Sequence, residues 1–188
     1  MIKKRIEESI KVKQKIIDNV VLMNNIEKAA NTIIEAFQRK NKVYFCGNGG
    51  SAADAQHLAA ELSGKFYFDR PALPAEACHV NPSFLTAVSN DYDFDSVYAR
   101  YIEGFGERGD ILVGISTSGN SGNIIKALET AKNKEMVCIG LTGQTGGKMK
   151  EMVDILLNVP SKDTPRIQES HITIGHIICE IVEQKLFG

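Results

Sequence analysis

The strongest constraint on this chain's fold is a pattern that recurs from residue 42 onward. A short apolar run breaks into small polar residues, and a helical pattern follows. Residues 42–46 (KVYFC) lead into GNGGS at 47–51 and then into an alanine-rich helical stretch over 52–62. Residues 110–115 lead into STSGNSG at 116–122, with Ile124, Ile125, Ala127, Leu128 and Ala131 at helical spacing behind it. A third run, 136–141, ends in TGQTGG at 142–147, and a fourth, 154–159, ends at Pro160. From about 165 to 186 the pattern is one long helix. Near-continuous apolar strands alternating with helices predict a parallel sheet covered on both faces. The connections are then right-handed crossovers, and ligands sit beyond the carboxyl ends of the strands. Both small-residue loops fall at those ends.

The first 40 residues read as two amphipathic helices. Ile6, Ile10, Ile17, Val20 and Val21 mark the first, and Ile26, Ala29, Ala30, Ile33, Ile34 and Phe37 the second, with Asn24 or Asn25 as its cap. They pack on the domain or on another subunit. At 188 residues the chain suits one domain. The 22 basic and 23 acidic residues leave a net charge of −1, which argues against binding nucleic acid by phosphate neutralisation and against a polybasic membrane anchor. No apolar run approaches the ~20 residues that span a bilayer, and the basic N-terminus has no apolar segment behind it. A cytoplasmic protein is expected. The four cysteines, Cys46, Cys78, Cys138 and Cys179, are far apart in sequence, and three lie in apolar runs. They read as reduced core thiols.

Chemistry concentrates in three places. Asn48, Gly49, Gly50 and Ser51 turn a strand into a helix N-terminus, whose free N–H groups suit an anion, though a glycine turn before a helix is common. The run Ser116, Thr117, Ser118, Gly119, Asn120, Ser121 puts four hydroxyls before a helix where one would cap it. That is a neutral phosphate cradle, and it matches neither the P-loop nor the dinucleotide fingerprint. A sugar phosphate fits it. The third place is a set of donors on two helices. His57 and Glu61, one turn apart, share a face and could hold one metal ion, or be an exposed polar pair. Gln168 and His176 lie on the C-terminal helix, separated by roughly 12 Å of rise. Either their side chains lean together or different copies of the helix contribute, which would place the site at a subunit interface. His176 and Glu180 are again one turn apart, either solvent-facing or with Glu180 orienting the imidazole.

Taken in order, these segments resemble the sugar isomerase (SIS) domain family, and within it the phosphoheptose isomerases. The matching pieces are CGNGGS at 46–51, Gln56-His57 through Glu61, SND at 89–91, GISTSGNS at 114–121, LTG at 141–143, and RIQE at 166–169 with His176. The resemblance spans almost the whole chain. It implies a flavodoxin-like αβα sandwich, a single domain over 1–188, and a homotetramer with active sites between subunits. It implies conversion of sedoheptulose 7-phosphate to D-glycero-D-manno-heptose 7-phosphate, the first step of bacterial heptose synthesis for surface polysaccharide. By position, Ser116, Thr117, Ser118 and Ser121 would hold the phosphate. Asn48, Gly49, Gly50, Ser51, Asn90 and Asp91 would line the sugar site with Glu61 and Gln168. His57, Glu61, Gln168 and His176 would bind zinc, and Glu61 and His176 would act as base and acid.

Two positions depart from the family pattern. Lys65 follows Ser63-Gly64 where an arginine is common, and Thr164-Pro165 replaces an acidic residue seen before RIQE. The family also holds a non-catalytic tetramer that binds the bacterial replication initiator, and SIS domains that sense sugar phosphates. The first lacks the Glu and the late His present here, and the second usually accompany a DNA-binding domain.

Overall fold

The computed structural model describes residues 1–188. Five strands form one all-parallel sheet: β1 (Val43–Gly47), β2 (Ala75–Ala77), β3 (Ile111–Ser116), β4 (Val137–Thr142) and β5 (Ile155–Asn158). Their spatial order is β2-β1-β3-β4-β5. The order reverses between β1 and β3, so the chain leaves those two strands in opposite directions and opens a crevice above their carboxyl ends. The fold class read from the alternating pattern is therefore observed, with the flavodoxin-like strand order.

Side-chain alternation divides the core in two. Val43, Phe45, Ile111, Val113, Ile115, Ile139 and Leu141 face one layer, made by α1 (Ile2–Ile17), α2 (Val20–Gln38), α3 (Gly50–Ser63) and α7 (Thr164–Phe187). Tyr44, Cys46, Leu112 and Cys138 face the other, made by α4 (Pro82–Asp91), α5 (Val97–Phe105) and α6 (Gly122–Asn133). All four cysteines are buried and unpaired. No helix is long and apolar enough to cross a membrane.

Both N-terminal helices form, but Val20 and Val21 open α2 instead of belonging to α1, and Ile6, Ile10, Ile17, Val20 and Val21, read as the first helix's apolar stripe, are all exposed. Asn19 caps α2 by accepting from the Leu22 N–H at 3.1 Å, so Asn24 and Asn25 lie inside the helix. An asparagine with an extended backbone is needed at the cap, and the turn between α1 and α2 supplies it one helical turn earlier. The structure adds β2, α4 and α5. Strand β2 is a three-residue Ala-Glu-Ala edge with no β-branched residue, so it carries no sequence signal. Helix α1 buries Val12 and Ile16 but leaves Ile2, Ile6, Ile10 and Ile17 exposed.

Helices α3 and α7 pack side by side and are locked at their far ends by a buried ion pair. Glu183, 1% exposed, accepts from the backbone N–H groups of Phe66, Tyr67 and Phe68 and from Arg70 Nε at 2.8 Å. Arg70 in turn donates to the carbonyls of Glu61 and Leu62, satisfying the open end of α3. Burial pushes the Glu183 carboxyl up, but the three N–H groups and the guanidinium outweigh it and hold it at about 2. His171 is also fully buried. Burial pushes it down to about 4, against the opposing hydrogen bond to the Thr142 carbonyl at 3.0 Å.

Both groups bind more protons unfolded than folded, so stability falls with acid in two windows. His171 acts as the pH drops from 6.5 to about 4, and Glu183 from 4.5 to about 2. Urea unfolding midpoints measured from pH 8 to pH 2 should decline through both. Glu183→Gln should lower the unfolding free energy at pH 7 by about 3 kcal/mol and flatten only the lower window.

Candidate active site

Two helix N-termini open on the crevice between β1 and β3. At α3 the N-cap is Gly49, at φ +56°, which has no side chain to offer. At α6 it is Ser121, whose hydroxyl makes no cap bond. Helices α2 and α4, by contrast, are closed by Asn19 and Asn81. The Ser121 hydroxyl instead lies 3.0 Å from that of Ser116, which is 3.4 Å from that of Ser118. Three hydroxyls thus gather at an uncapped helix N-terminus, as a bound anion requires. The two loops are tied across the crevice by reciprocal amide bonds of 2.8 Å between Asn48 and Asn123. The Tyr98 hydroxyl fixes the first loop by donating to the Gly47 carbonyl.

The donor set lies two turns further along α3. His57 Nε2 is 3.1 Å from Glu61 Oε1 and 2.9 Å from His176 Nε2, and the ligand atoms of all three lie within 4.8 Å of one another. Phe66 forms a wall beside His176, with ring centroids 5.8 Å apart. Two imidazole nitrogens and a carboxylate oxygen converging on one point form an N/N/O set that suits zinc, with room for a non-protein ligand. Gly175 makes the convergence possible. A Cβ there would lie 2.5 Å from both Leu58 δ-carbons, so with any other residue either Leu58 or α7 must shift.

Within one protomer the structure brings His57, Glu61 and His176 together, but not Gln168. Its amide packs over Gly50, where a Cβ would lie 1.8 Å from Nε2. Glu180 does not orient His176; its Oε1 accepts from Gln184 at 3.2 Å. Ser51 is buried behind the first loop. Asn90 and Asp91 are exposed at the end of α4 and bond to each other at 2.8 Å. Thr117 accepts at its carbonyl from the Gly143 N–H, joining the cradle to the loop after β4. Sequence reasoning missed Asn123, Gly175, Arg70 and Glu183. Asn123 gave a faint signal, a polar residue on the buried side of a helix start; the other three act through tertiary contacts alone.

Sheet order, open helix ends and the hydroxyl loop define a sugar-phosphate-binding α/β domain. The SIS domain family model matches residues 6–143, and the chain belongs to that family. Within it, the chain belongs with the phosphoheptose isomerases. It is 53% identical over 186 residues to the phosphoheptose isomerase of Aneurinibacillus thermoaerophilus, covering 99% of this chain and 94% of that one. The structure of phosphoheptose isomerase from Neisseria gonorrhoeae superimposes with a TM-score of 0.91 at 42% identity, covering 97% of each chain. That of a phosphoheptose isomerase from Francisella tularensis does so with a TM-score of 0.93 at 39% identity, covering 97% of this chain and 96% of that one.

The Gly175 contact can be tested directly. Gly175→Ala should cost about 1–3 kcal/mol in denaturant unfolding, because the added methyl group would overlap the Leu58 side chain and force it or α7 to move. It should also weaken zinc binding at least tenfold in competition with a chromophoric chelator, since a shift of α7 moves His176 away from His57. Unchanged zinc affinity would mean that the three donors do not act as one site.

Proposed function

We propose that the protein is an aldose–ketose isomerase that converts sedoheptulose 7-phosphate to D-glycero-D-manno-heptose 7-phosphate, the entry to bacterial heptose synthesis. The observation that carries this reading is the convergence of His57, Glu61 and His176 in a chain that also holds the hydroxyl cradle. A binding module or sensor needs the cradle but has no use for the three donors. Moving a proton between C1 and C2 through an enediol requires a base on carbon, an acid near the oxygen, and stabilisation of developing negative charge.

Glu61 is the proposed base. Its Oε1 faces His57, and Oε2 is left for the carbon-bound proton. His176 is the proposed acid, held between His57 and the Phe66 ring. Zinc bound at His57, Glu61 and His176 would supply Lewis-acid polarisation of the carbonyl and hydroxyl oxygens. The Ser116, Thr117, Ser118 and Ser121 loop holds the phosphate, while Asn48, Gly49 and Gly50, with Asn90 and Asp91, line the sugar chain, and Ser51, buried behind the first loop, supports it.

Gln168 joins the metal and sugar site from a second copy. On its own α7 it sits two turns from His176, roughly 12 Å along the axis. The proposed assembly is therefore a tetramer with sites between subunits, and the exposed isoleucines of α1 offer apolar surface for it. The assembly works in the cytoplasm, where the sugar phosphate and reduced thiols are found.

The test is turnover of sedoheptulose 7-phosphate before and after metal removal. Activity should vanish with a chelator shown to strip the protein and return with zinc. Glu61→Gln should lower kcat by roughly 100-fold or more while the circular dichroism spectrum is kept. Near-normal turnover in a folded Glu61→Gln variant would end the base assignment. A folded wild type that binds the sugar phosphate and makes no product would end the isomerase reading.

A further inference from the structure

A polar cleft of about 290 Å³ adjoins the hydroxyl cradle on the β4 side. It lies between the cradle residues Thr117 and Ser118, the loop after β4 at Gln144, and the entry to α7 at Ser161, Lys162 and Thr164. Its volume is near the lower end of the range for small-molecule sites. No carboxylate lines it. Asp163, the acid next to Lys162, opens instead on the opposite side with Arg5 and Arg166. Lys42, Lys126 and Lys134 each reach an oxygen of the protein, whereas the Lys162 ammonium reaches none.

The cradle itself is neutral. Hydroxyls and the α6 N-terminus suffice to place a phosphate, and a cation beside it adds a charge-assisted bond. Lys162 is the cation on the cleft that the cradle shares through Thr117 and Ser118. We propose that Lys162 is a substrate-positioning residue that closes on the phosphate end of the sugar from this cleft and supplies the charge the cradle lacks. The inference rests on the proposed sugar-phosphate isomerase function. Lys162 precedes α7, and its cleft includes none of His57, Glu61 and His176, so it contributes uniform binding and no proton transfer. Its loss therefore appears in KM and leaves kcat alone.

The experiment compares wild type, Lys162→Gln and Lys162→Arg as full-length protein. With sedoheptulose 7-phosphate, Lys162→Gln should raise KM roughly tenfold or more with kcat within about twofold, as expected for one charge-assisted bond. Lys162→Arg should recover most of the loss. The competitive inhibition constant of inorganic phosphate should rise in parallel. A folded Lys162→Gln variant with unchanged KM overturns the proposal, whatever happens to phosphate inhibition. If wild type gives no product, the isomerase reading fails separately. Calorimetric titration with inorganic phosphate then decides the residue's role: weaker binding in Lys162→Gln keeps it as a phosphate contact, and equal binding removes it.

Discussion

The parallel contact between α3 and α7 is the constraint on which the rest of the site depends. The two helices meet at three levels. Gln168 covers Gly50 at the sheet's carboxyl edge, Gly175 seats on Leu58 in the middle, and Arg70 with Glu183 locks the far end. The middle level sets the distance and the far level sets the register. With both fixed, His57 and His176 face each other across the groove although they are 119 residues apart in sequence. A buried ion pair is weak evidence for net stability, but it is expensive to leave half-satisfied. Four donors to Glu183 would be stranded by a slip of α7, and such a slip is the movement that would separate His176 from His57 and Glu61.

The sheet contributes a different kind of order. Strand reversal between β1 and β3 leaves a crevice that no connection crosses. The chain fills its rim with residues poor at closing helices from within. Gly49 has no side chain, and the Ser121 hydroxyl turns to Ser116. At α6 no protein group accepts from the Gly122 and Asn123 N–H groups, whereas at α3 the Ser51 and Ala52 N–H groups bond the Asn48 and Gly49 carbonyls, so α6 is the more open end for a negative ligand. The asparagine caps on α2 and α4 show what the same chain does where no ligand is needed. The Asn48–Asn123 amide pair then holds the two open ends at a fixed separation, so that a ligand meets a formed cradle.

Much of this was legible in the sequence, and the boundary has a physical basis. Strands β1, β3, β4 and β5 are apolar on both faces and end in small residues, a pattern local to a few residues, so their places followed directly. The hydroxyl loop was legible because it carries more hydroxyls than one cap can use. His57 and Glu61 could be paired because helical periodicity fixes neighbours one turn apart. Helix spacing also separated Gln168 from His176, as found. Pairings between elements were hidden. Nothing near Gly175 signals that Leu58 will lie against it, and Arg70 stands in a segment without regular structure. Strand β2 was lost because an edge strand of three residues needs little hydrophobic surface.

The positions along α7 explain why a single copy leaves the proposed chemistry divided. The helix passes the cleft at Thr164, the first glycine loop at Gln168 and the donor group at His176, so its rise places phosphate and metal functions at different heights. The Leu58–Gly175 contact holds α7 against α3 at the level of the donor group. Of the donors, His57 is exposed and Glu61 and His176 are half-buried. Under the proposed assembly, a second copy covers the exposed His57 and the exposed isoleucines of α1. In that arrangement association and catalysis share one requirement: whatever keeps α7 seated on α3 also keeps the surface that the next subunit must read.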